Sequence, residues 1–352
     1  MIRSLSPALW VCLAFLLISL SRILLLGGAV SVGKVLSGGF PFLELIGVLV
    51  AGMLIRATRG RPWVQAASLL MLVPGYAGWS ASAGDSLIPF QDWLPRTWLD
   101  GLVQLRSALA VLSLAPLILL GQLRKTGGLL LELLPCFLMV LAYPFVPLMI
   151  RASGGPDLDA TLLRADEWLF GWMFGGVNPH FWISARLQPG LTEWFAFCYS
   201  LYGALILAVF GVLILADRRE DLRCFVLRFT WVLAIGYTLY TLVPVQGPVF
   251  KLDYPEPMDL RYLQGVKEAL MDRTRIEWDC FPSLHTALTL LVWGTLLQQS
   301  RKLAWIVFPI ALTVPVACVA LRYHYVVDVW AGAVLAVGVM VKIKKAPGEK
   351  LS

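Results

Sequence analysis

The sequence predicts an all-α, polytopic membrane helical bundle of about ten transmembrane helices. Three observations lead there. Apolar types make up 59% of the 352 residues and charged types only 14%, where a soluble domain carries about 25% charged residues. Mean hydropathy is +0.76. Basic residues gather in short segments between helix-length apolar runs, the pattern that sets membrane topology. This composition excludes a soluble enzyme, a disordered chain and a disulfide scaffold.

The predicted spans lie near 8–27, 40–56, 63–80, 101–121, 128–150, 194–216, 224–246, 283–299, 303–321 and 324–342. The first follows Met1-Ile2-Arg3. No clear A-x-A cleavage site comes after it, so it is read as a retained span rather than a signal peptide. Arg56, Arg59 and Arg61 separate the second span from the third. The fourth is the weakest, because Arg106 sits in its first third. Arg124 and Lys125 precede the fifth, Arg218, Arg219 and Arg223 divide the sixth from the seventh, and Arg301 and Lys302 divide the eighth from the ninth. Two long polar stretches, 151–193 and 247–282, follow the fifth and seventh spans, and there is no internal repeat.

With the N-terminus inside, the inner side holds fifteen basic residues in short segments against four acids, Asp217, Glu220, Asp221 and Glu349. The outer side collects most of the acids, largely in the two long loops. Both termini are therefore expected inside and both long loops outside. The net charge of +7 is read as this topology signal, and no nucleic-acid partner is expected. Cys12, Cys136, Cys198, Cys224 and Cys318 lie in apolar runs and read as small packed residues. Cys280 is alone in a polar loop, and no spacing forms a disulfide framework or a zinc site.

The chain has three histidines, His180, His285 and His324. Two stand at the outer ends of predicted spans: His285 in Cys280-Phe-Pro-Ser-Leu-His285-Thr286, and His324 in Arg322-Tyr-His324-Tyr-Val-Val-Asp328. The topology places both at one depth on one side. His324 and Asp328 share a helix face at i, i+4. A carboxylate there can accept the imidazole Nδ1–H, which leaves Nε2 as a nucleophile and stabilises the charged ring. A structural pair that staples two helices is the equal alternative. Pro282 suits a helix start, and free N–H groups there with the Ser283 hydroxyl form an anion site; an ordinary capping serine is the plain alternative. His285 stands beside that site, placed to give or take a proton. Arg322 can clamp phosphate oxygens with its planar fork or snorkel at the interface.

FPSLHT followed downstream by RYHYVVDVWAG resembles the type-2 phosphatidic acid phosphatase superfamily. The similarity is closest to the branch containing inositol phosphorylceramide synthase and many bacterial membrane phosphatases. ADEWLFG at 165–171, the apolar run from Trp194 and YTLVPVQGP at 240–248 extend it, so that it covers roughly 130–342, the last six spans. The resemblance implies a six-helix catalytic core and metal-free phosphoryl transfer through a phosphohistidine, with no cofactor. His324 is then the nucleophile, Asp328 its orienter and His285 the acid that protonates the leaving oxygen, while Ser283 and Arg322 bind phosphate. The superfamily's usual Lys-x6-Arg-Pro element is absent, and Lys251 is the candidate clamp near its place. The usual arginine six residues before the nucleophile is Cys318 here, so Arg322 is the candidate substitute.

The chain accordingly divides into 1–127, transmembrane helices of unassigned role, and 128–352, a lipid phosphatase or phosphotransferase domain. Water or an alcohol attacks the phosphohistidine, which makes a phosphatase or a headgroup transferase. The alternative is a non-enzymatic transporter or lipid-binding scaffold with a structural His–Asp pair, and a metal site on His285, His324 and Asp328 is a minor reading. The expected location is the bacterial plasma membrane with the site outside, and the partner is a lipid phosphate or phospholipid. Arg164, Asp166 and Glu167 read as a solvated or headgroup-facing salt bridge, and His180 as an ordinary loop histidine. The charged loop 251–279 reads as a polar lid or a solvated connector. Trp63, Trp168, Trp172, Trp182 and Trp194 read as interfacial anchors. Glu44, Glu132 and Arg228, near span ends, are expected to snorkel or pair.

Overall fold

The computed structural model describes residues 123–263 apart from 144, 145, 154, 256 and 259, residues 278–344, and part of 7–17. Among the described residues every regular element is helical. In order these are α1 Leu123–Ala142, α2 Val146–Ser153, α3 Asp159–Phe170, a 3-10 turn Gly171–Phe174, α4 Pro179–Ser184, α5 Pro189–Ser200, α6 Tyr202–Leu215, α7 Arg219–Leu242, a single turn Pro248–Lys251, α8 Leu284–Gln299, α9 Arg301–Ala320 and α10 Val326–Lys342. Among the described residues three helical stretches are long and apolar enough to cross a membrane: Pro189–Leu215, running through α5 and α6, then Arg219–Leu242 and Arg301–Ala320.

The last five predicted spans coincide with α5–α6, α7, α8, α9 and α10 to within a few residues. The span expected over 128–150 is instead two helices, α1 and α2. Pro147 lies in the first turn of α2, where its missing N–H leaves no helical bond unmade. The spans expected at 40–56, 63–80 and 101–121, and much of 8–27, lie outside the described residues, as do Glu44 and Trp63.

The chain divides into two compact units, one of residues 1–30, 138–209 and 223–352, the other of 31–137 and 210–222. The second unit's described part includes the turn into α7. There Arg218 meets Asp221 at 3.0 Å, and Asp217 takes φ 56°, a left-handed conformation that aspartate tolerates.

In the first unit α8 packs along α9 and α10, and α5 along α9. Serine caps start two of these helices: Ser283 Oγ accepts from Thr286 N at the head of α8, and Ser300 Oγ from Leu303 N at the head of α9. Where α8 and α10 end, Arg228 is buried and paired, donating to the Ile343 carbonyl at 2.9 Å and to Gln298 Oε1 at 3.1 Å. At the opposite end, Tyr199, Leu260, Cys318, Leu321 and Tyr323 form one apolar cluster.

Leu260 belongs to the charged loop after α7, so the described part of that loop is more than a solvated connector. Glu193, on α5, holds it in place by accepting from the backbone N–H of Arg261, Tyr262 and Leu263. Cys280, read from sequence as lying in a polar loop, is fully buried beside Tyr325 and Leu162. Trp168 and Trp172 are strongly exposed and Trp194 partly so.

At Gly332, α10 comes close to the head of α8. A Cβ there would collide with the Ser283 carbonyl oxygen and press on Thr286. The obstacle is backbone and cannot rotate away. Gly332→Ala is therefore expected to destabilise the purified protein by about 1–3 kcal/mol, read as a fall in thermal midpoint. An unchanged midpoint would mean that the two helices can separate freely.

Candidate active site

The ends of three helices deliver the two histidines. α9 closes with Arg322 in the left-handed conformation, φ 66°. Arg322 N bonds to the Val319 carbonyl, and Tyr323 N to the Cys318 carbonyl at 3.0 Å. This is the Schellman closure of a helix, here with arginine where glycine is usual. His324 N reaches the same Cys318 carbonyl at 3.0 Å. The imidazole is thus launched from a turn bonded to the end of α9, one residue before the N-cap of α10.

α10 begins under two carboxylates. Asp328, at its third position, accepts from the N–H of the N-cap residue Tyr325 at 2.8 Å, as a capping box does. Asp166, from α3, accepts from Val326 N and Val327 N, both at 2.8 Å. Negative charge at a helix N-terminus is favoured by the exposed N–H groups and the helix dipole.

His285 sits in the first turn of α8. The head of that helix is tied to α10 by Ser283 N donating to the Asp328 carbonyl at 3.0 Å. Tyr199 and Tyr202 pack on the His285 ring, with centroids 4.6 and 4.4 Å away.

The proton positions follow from the partners. His324 Nδ1 lies 2.9 Å from the Cys280 carbonyl oxygen. A carbonyl can only accept, so Nδ1 carries the proton and Nε2 keeps its lone pair. Nε2 faces His285 Nδ1 at 3.4 Å, which makes His285 Nδ1–H the donor. His285 Nε2 then accepts from the Tyr199 hydroxyl at 3.0 Å. The sequence led to Asp328 as the acceptor for Nδ1–H. In the structure the carbonyl takes that bond, and Asp328 Oδ2 stands 3.6 Å from Nδ1. Cys280 Sγ donates to the same Oδ2 at 2.8 Å. Asp328 is fully buried beside the ring.

The three residues expected to bind phosphate are placed differently. Ser283 is buried, and its hydroxyl accepts from Thr286 N and from Thr286 Oγ1 at 3.1 Å; this is the capping role. Arg322 donates Nη2 to Ser184 Oγ at 2.8 Å and lies 4.0 Å above the Tyr254 ring. Burial lowers its pKa from the usual guanidinium value. Lys251 pairs with Asp157 at 2.6 Å, both side chains partly exposed. Burial works to raise the Asp157 carboxyl, but the Lys251 ammonium and the Asp159 N–H outweigh it and hold the pKa below the usual value. The structure thus brings together His324, His285 and Asp328, and gives Ser283, Arg322 and Lys251 other partners.

Two residues read from sequence as peripheral, Asp166 and His180, belong to the site's frame together with Asp159. Asp166, expected in a solvated salt bridge, is fully buried and bonded to His180 Nε2 at 3.0 Å. The cause is the pair of helix N–H groups that need an acceptor. His180, expected as a loop histidine, is also buried, with its ring edge-on to Tyr325 at 5.4 Å. Asp159 accepts from Gln246 N and Gly247 N, each at 2.8 Å, and from the Tyr325 hydroxyl at 3.0 Å. Burial pushes its carboxyl up, against the two N–H groups that favour the charged form. Their partners lie far along the chain and left no local signal, apart from the Asn178-Pro179 helix start that sets His180.

Among the described residues, the group able to offer three ligand atoms to a metal is Cys280, His324 and Asp328, with atoms all within 4.8 Å of one another. It shares two members with the set the sequence offered and replaces His285 by a thiol.

Comparison with known families matches residues 160–341 to the PAP2 superfamily. No curated protein matches the chain, and no solved structure does.

Removing the Asp166 carboxylate leaves two helix N–H groups and an imidazole N–H buried without an acceptor. Each such loss is worth about 1–3 kcal/mol. Asp166→Ala is expected to destabilise the protein by more than about 2 kcal/mol, with Asp166→Asn between it and the parent in thermal unfolding. A change under about 0.5 kcal/mol, the level of a neutral surface substitution, would remove Asp166 from the frame.

Proposed function

The chain belongs to the PAP2 superfamily, and from that premise we propose metal-free phosphoryl transfer from a lipid phosphate through a phosphohistidine on His324. Members of the superfamily are phosphatases or phosphotransferases that act on lipid phosphates, and the long apolar helices fit a membrane protein. The observation that carries the finer reading is the directed contact of His324 Nε2 with His285 Nδ1 at 3.4 Å. With Nδ1 protonated against the Cys280 carbonyl, Nε2 is the nucleophilic nitrogen of the pair.

In the first half-reaction the phosphoryl group enters between the two rings. The His324 Nε2 lone pair forms the bond to phosphorus, and the bond from phosphorus to the lipid oxygen breaks. The leaving oxygen takes the Nδ1 proton of His285 in its imidazolium form. The Tyr199 hydroxyl serves both states of that ring, accepting from Nε2–H of the imidazolium and donating to Nε2 of one neutral tautomer. The buried Asp328 carboxylate favours the positive charge that develops on His324. In the second half-reaction His285 takes a proton from water or an alcohol, which attacks phosphorus and frees His324. Arg322 is the clamp we retain for the phosphate oxygens, because it stands two residues from the nucleophile and carries a planar fork. Lys251 and Ser283 are secondary. The site faces outward in the topology read from the basic loops, and the last six helical segments form the catalytic core.

Removing the nucleophile blocks the covalent step for every substrate. Removing the acid hurts most where the leaving group is poor. His324→Ala is expected to be inactive on both a lipid phosphate and an aryl phosphate such as a nitrophenyl ester. His285→Ala should lose about 10²–10⁴-fold on the lipid and retain measurable aryl-ester turnover. The reverse pattern would exchange the two roles, and full activity in both variants would make the histidines structural. Parallel assays with and without acceptor alcohols, reading free phosphate and lipid products, separate hydrolysis from transfer.

Tyr199→Phe keeps the ring stack and removes only the hydroxyl. It is expected to lower kcat about tenfold on the lipid, the value of one orienting hydrogen bond, with a smaller effect on the aryl ester. Equal losses on both substrates would detach Tyr199 from the acid.

A further inference from the structure

We infer that Cys280, His324 and Asp328 form a binding site for a zinc-class divalent cation, and that an ion there switches the nucleophile off. The switching half rests on the phosphohistidine reading; the binding half does not.

The geometry is close to that of a tetrahedral site. Zinc bonds thiolate at about 2.3 Å and imidazole or carboxylate at about 2.0–2.2 Å, which sets ligand-to-ligand edges of about 3.4–3.6 Å. Here Cys280 Sγ lies 3.5 Å from His324 Nδ1, and Nδ1 lies 3.6 Å from Asp328 Oδ2. The third edge, Sγ to Oδ2, is a hydrogen bond of 2.8 Å, and it widens by less than 1 Å when the ion replaces the thiol proton.

The charges also balance. One thiolate and one carboxylate neutralise a divalent ion, so the occupied site adds no net charge to a buried place where net charge is costly. All three side chains are at least nine-tenths buried. The second carboxylate oxygen, Asp328 Oδ1, is buried with no hydrogen-bond partner. It offers a further donor, or an acceptor for a water in the fourth position. A thiol, an imidazole and a carboxylate together suit zinc, cobalt or cadmium rather than magnesium or calcium.

The consequence follows from one ring proton. In the metal-free state His324 Nδ1–H bonds to the Cys280 carbonyl, and Nε2 holds a lone pair towards His285. An ion on Nδ1 needs the lone pair on that nitrogen. The neutral ring then carries its proton on Nε2, and the thiol proton leaves to solvent. Nε2 with a proton cannot attack phosphorus. Metal binding and nucleophilic catalysis are thus exclusive uses of one imidazole, and the ion is an inhibitor rather than a cofactor.

The test titrates the purified, chelator-stripped full-length protein with cobalt(II) and follows the near-ultraviolet thiolate-to-cobalt absorption. One ion per chain is expected, displaced by zinc. Cys280→Ser should lose the band, Asp328→Asn should weaken binding, and Cys224→Ser should leave the band unchanged. X-ray absorption of the zinc-loaded parent should show one sulfur with imidazole and oxygen ligands, which keeps the test independent of how the variants fold. In parallel, zinc should lower turnover of a lipid phosphate at least tenfold, reversed by a chelator. Cys280→Ser should lose this sensitivity relative to its own zinc-free rate. No band in the parent, a band that survives Cys280→Ser, or a sulfur-free zinc shell overturns the site. A sound site with unaffected turnover overturns the switch. If no lipid phosphate is turned over even without metal, the phosphohistidine reading fails while the band still decides the binding site.

Discussion

Asp328 ties together the two histidine motifs. Its carboxylate accepts from the Cys280 thiol and from the N–H of Tyr325, and its main-chain carbonyl accepts from the N–H of Ser283. These bonds join the segment before α8, the N-cap of α10 and the N-cap of α8. Both side-chain bonds fall on Oδ2, and a buried carboxylate is costly without such bonds, so the chain around it has little freedom to move. His324 and His285 face one another because Tyr325, next to His324, and Ser283, two residues before His285, are both fixed to Asp328, one to its side chain and the other to its peptide carbonyl. Gly332, one turn further along α10, permits the approach.

A second layer holds the first. Asp166 bonds to the two N–H groups that follow Tyr325, and Asp159 bonds to the hydroxyl of Tyr325 and to the loop after α7. Both belong to α3, in a stretch whose composition gives no sign of burial. The described part of that stretch therefore acts as a brace outside the long apolar helices. The atoms of the proposed chemistry sit where helix ends, a connecting loop and this brace meet.

Much of this was legible in the sequence where the signal is local. α5 to α10 follow from apolar run length, and the Ser283 helix start from a residue type that satisfies terminal N–H groups. The His–Asp spacing on one helix turn foretold their proximity but not the bond. At i, i+4 the two side chains come within 3.6 Å, yet the Cys280 carbonyl arrives from forty-odd residues earlier and accepts the Nδ1–H bond. The same limit explains Asp166 and His180. Asp166 answers to the Val326 N–H about 160 residues away and His180 to the Tyr325 ring about 145 residues away, which no window reveals. Tyr199 was unread for a similar reason: an apolar run hides a phenol whose partner lies 86 residues on. Lys251 and Arg322 were placed by analogy with the superfamily's pattern, and each has a partner of its own in the structure.

The central claim is that phosphorus becomes bonded to His324 Nε2 during turnover. The direct measurement is rapid quench of the purified protein with a lipid carrying a radiolabelled phosphoryl group, followed by peptide mapping. A label that is stable in alkali, labile in acid and carried by the peptide containing His324 is the predicted result, and His324→Ala should carry none. Turnover with the label on another residue, or with no covalent label at any quench time, would contradict the account.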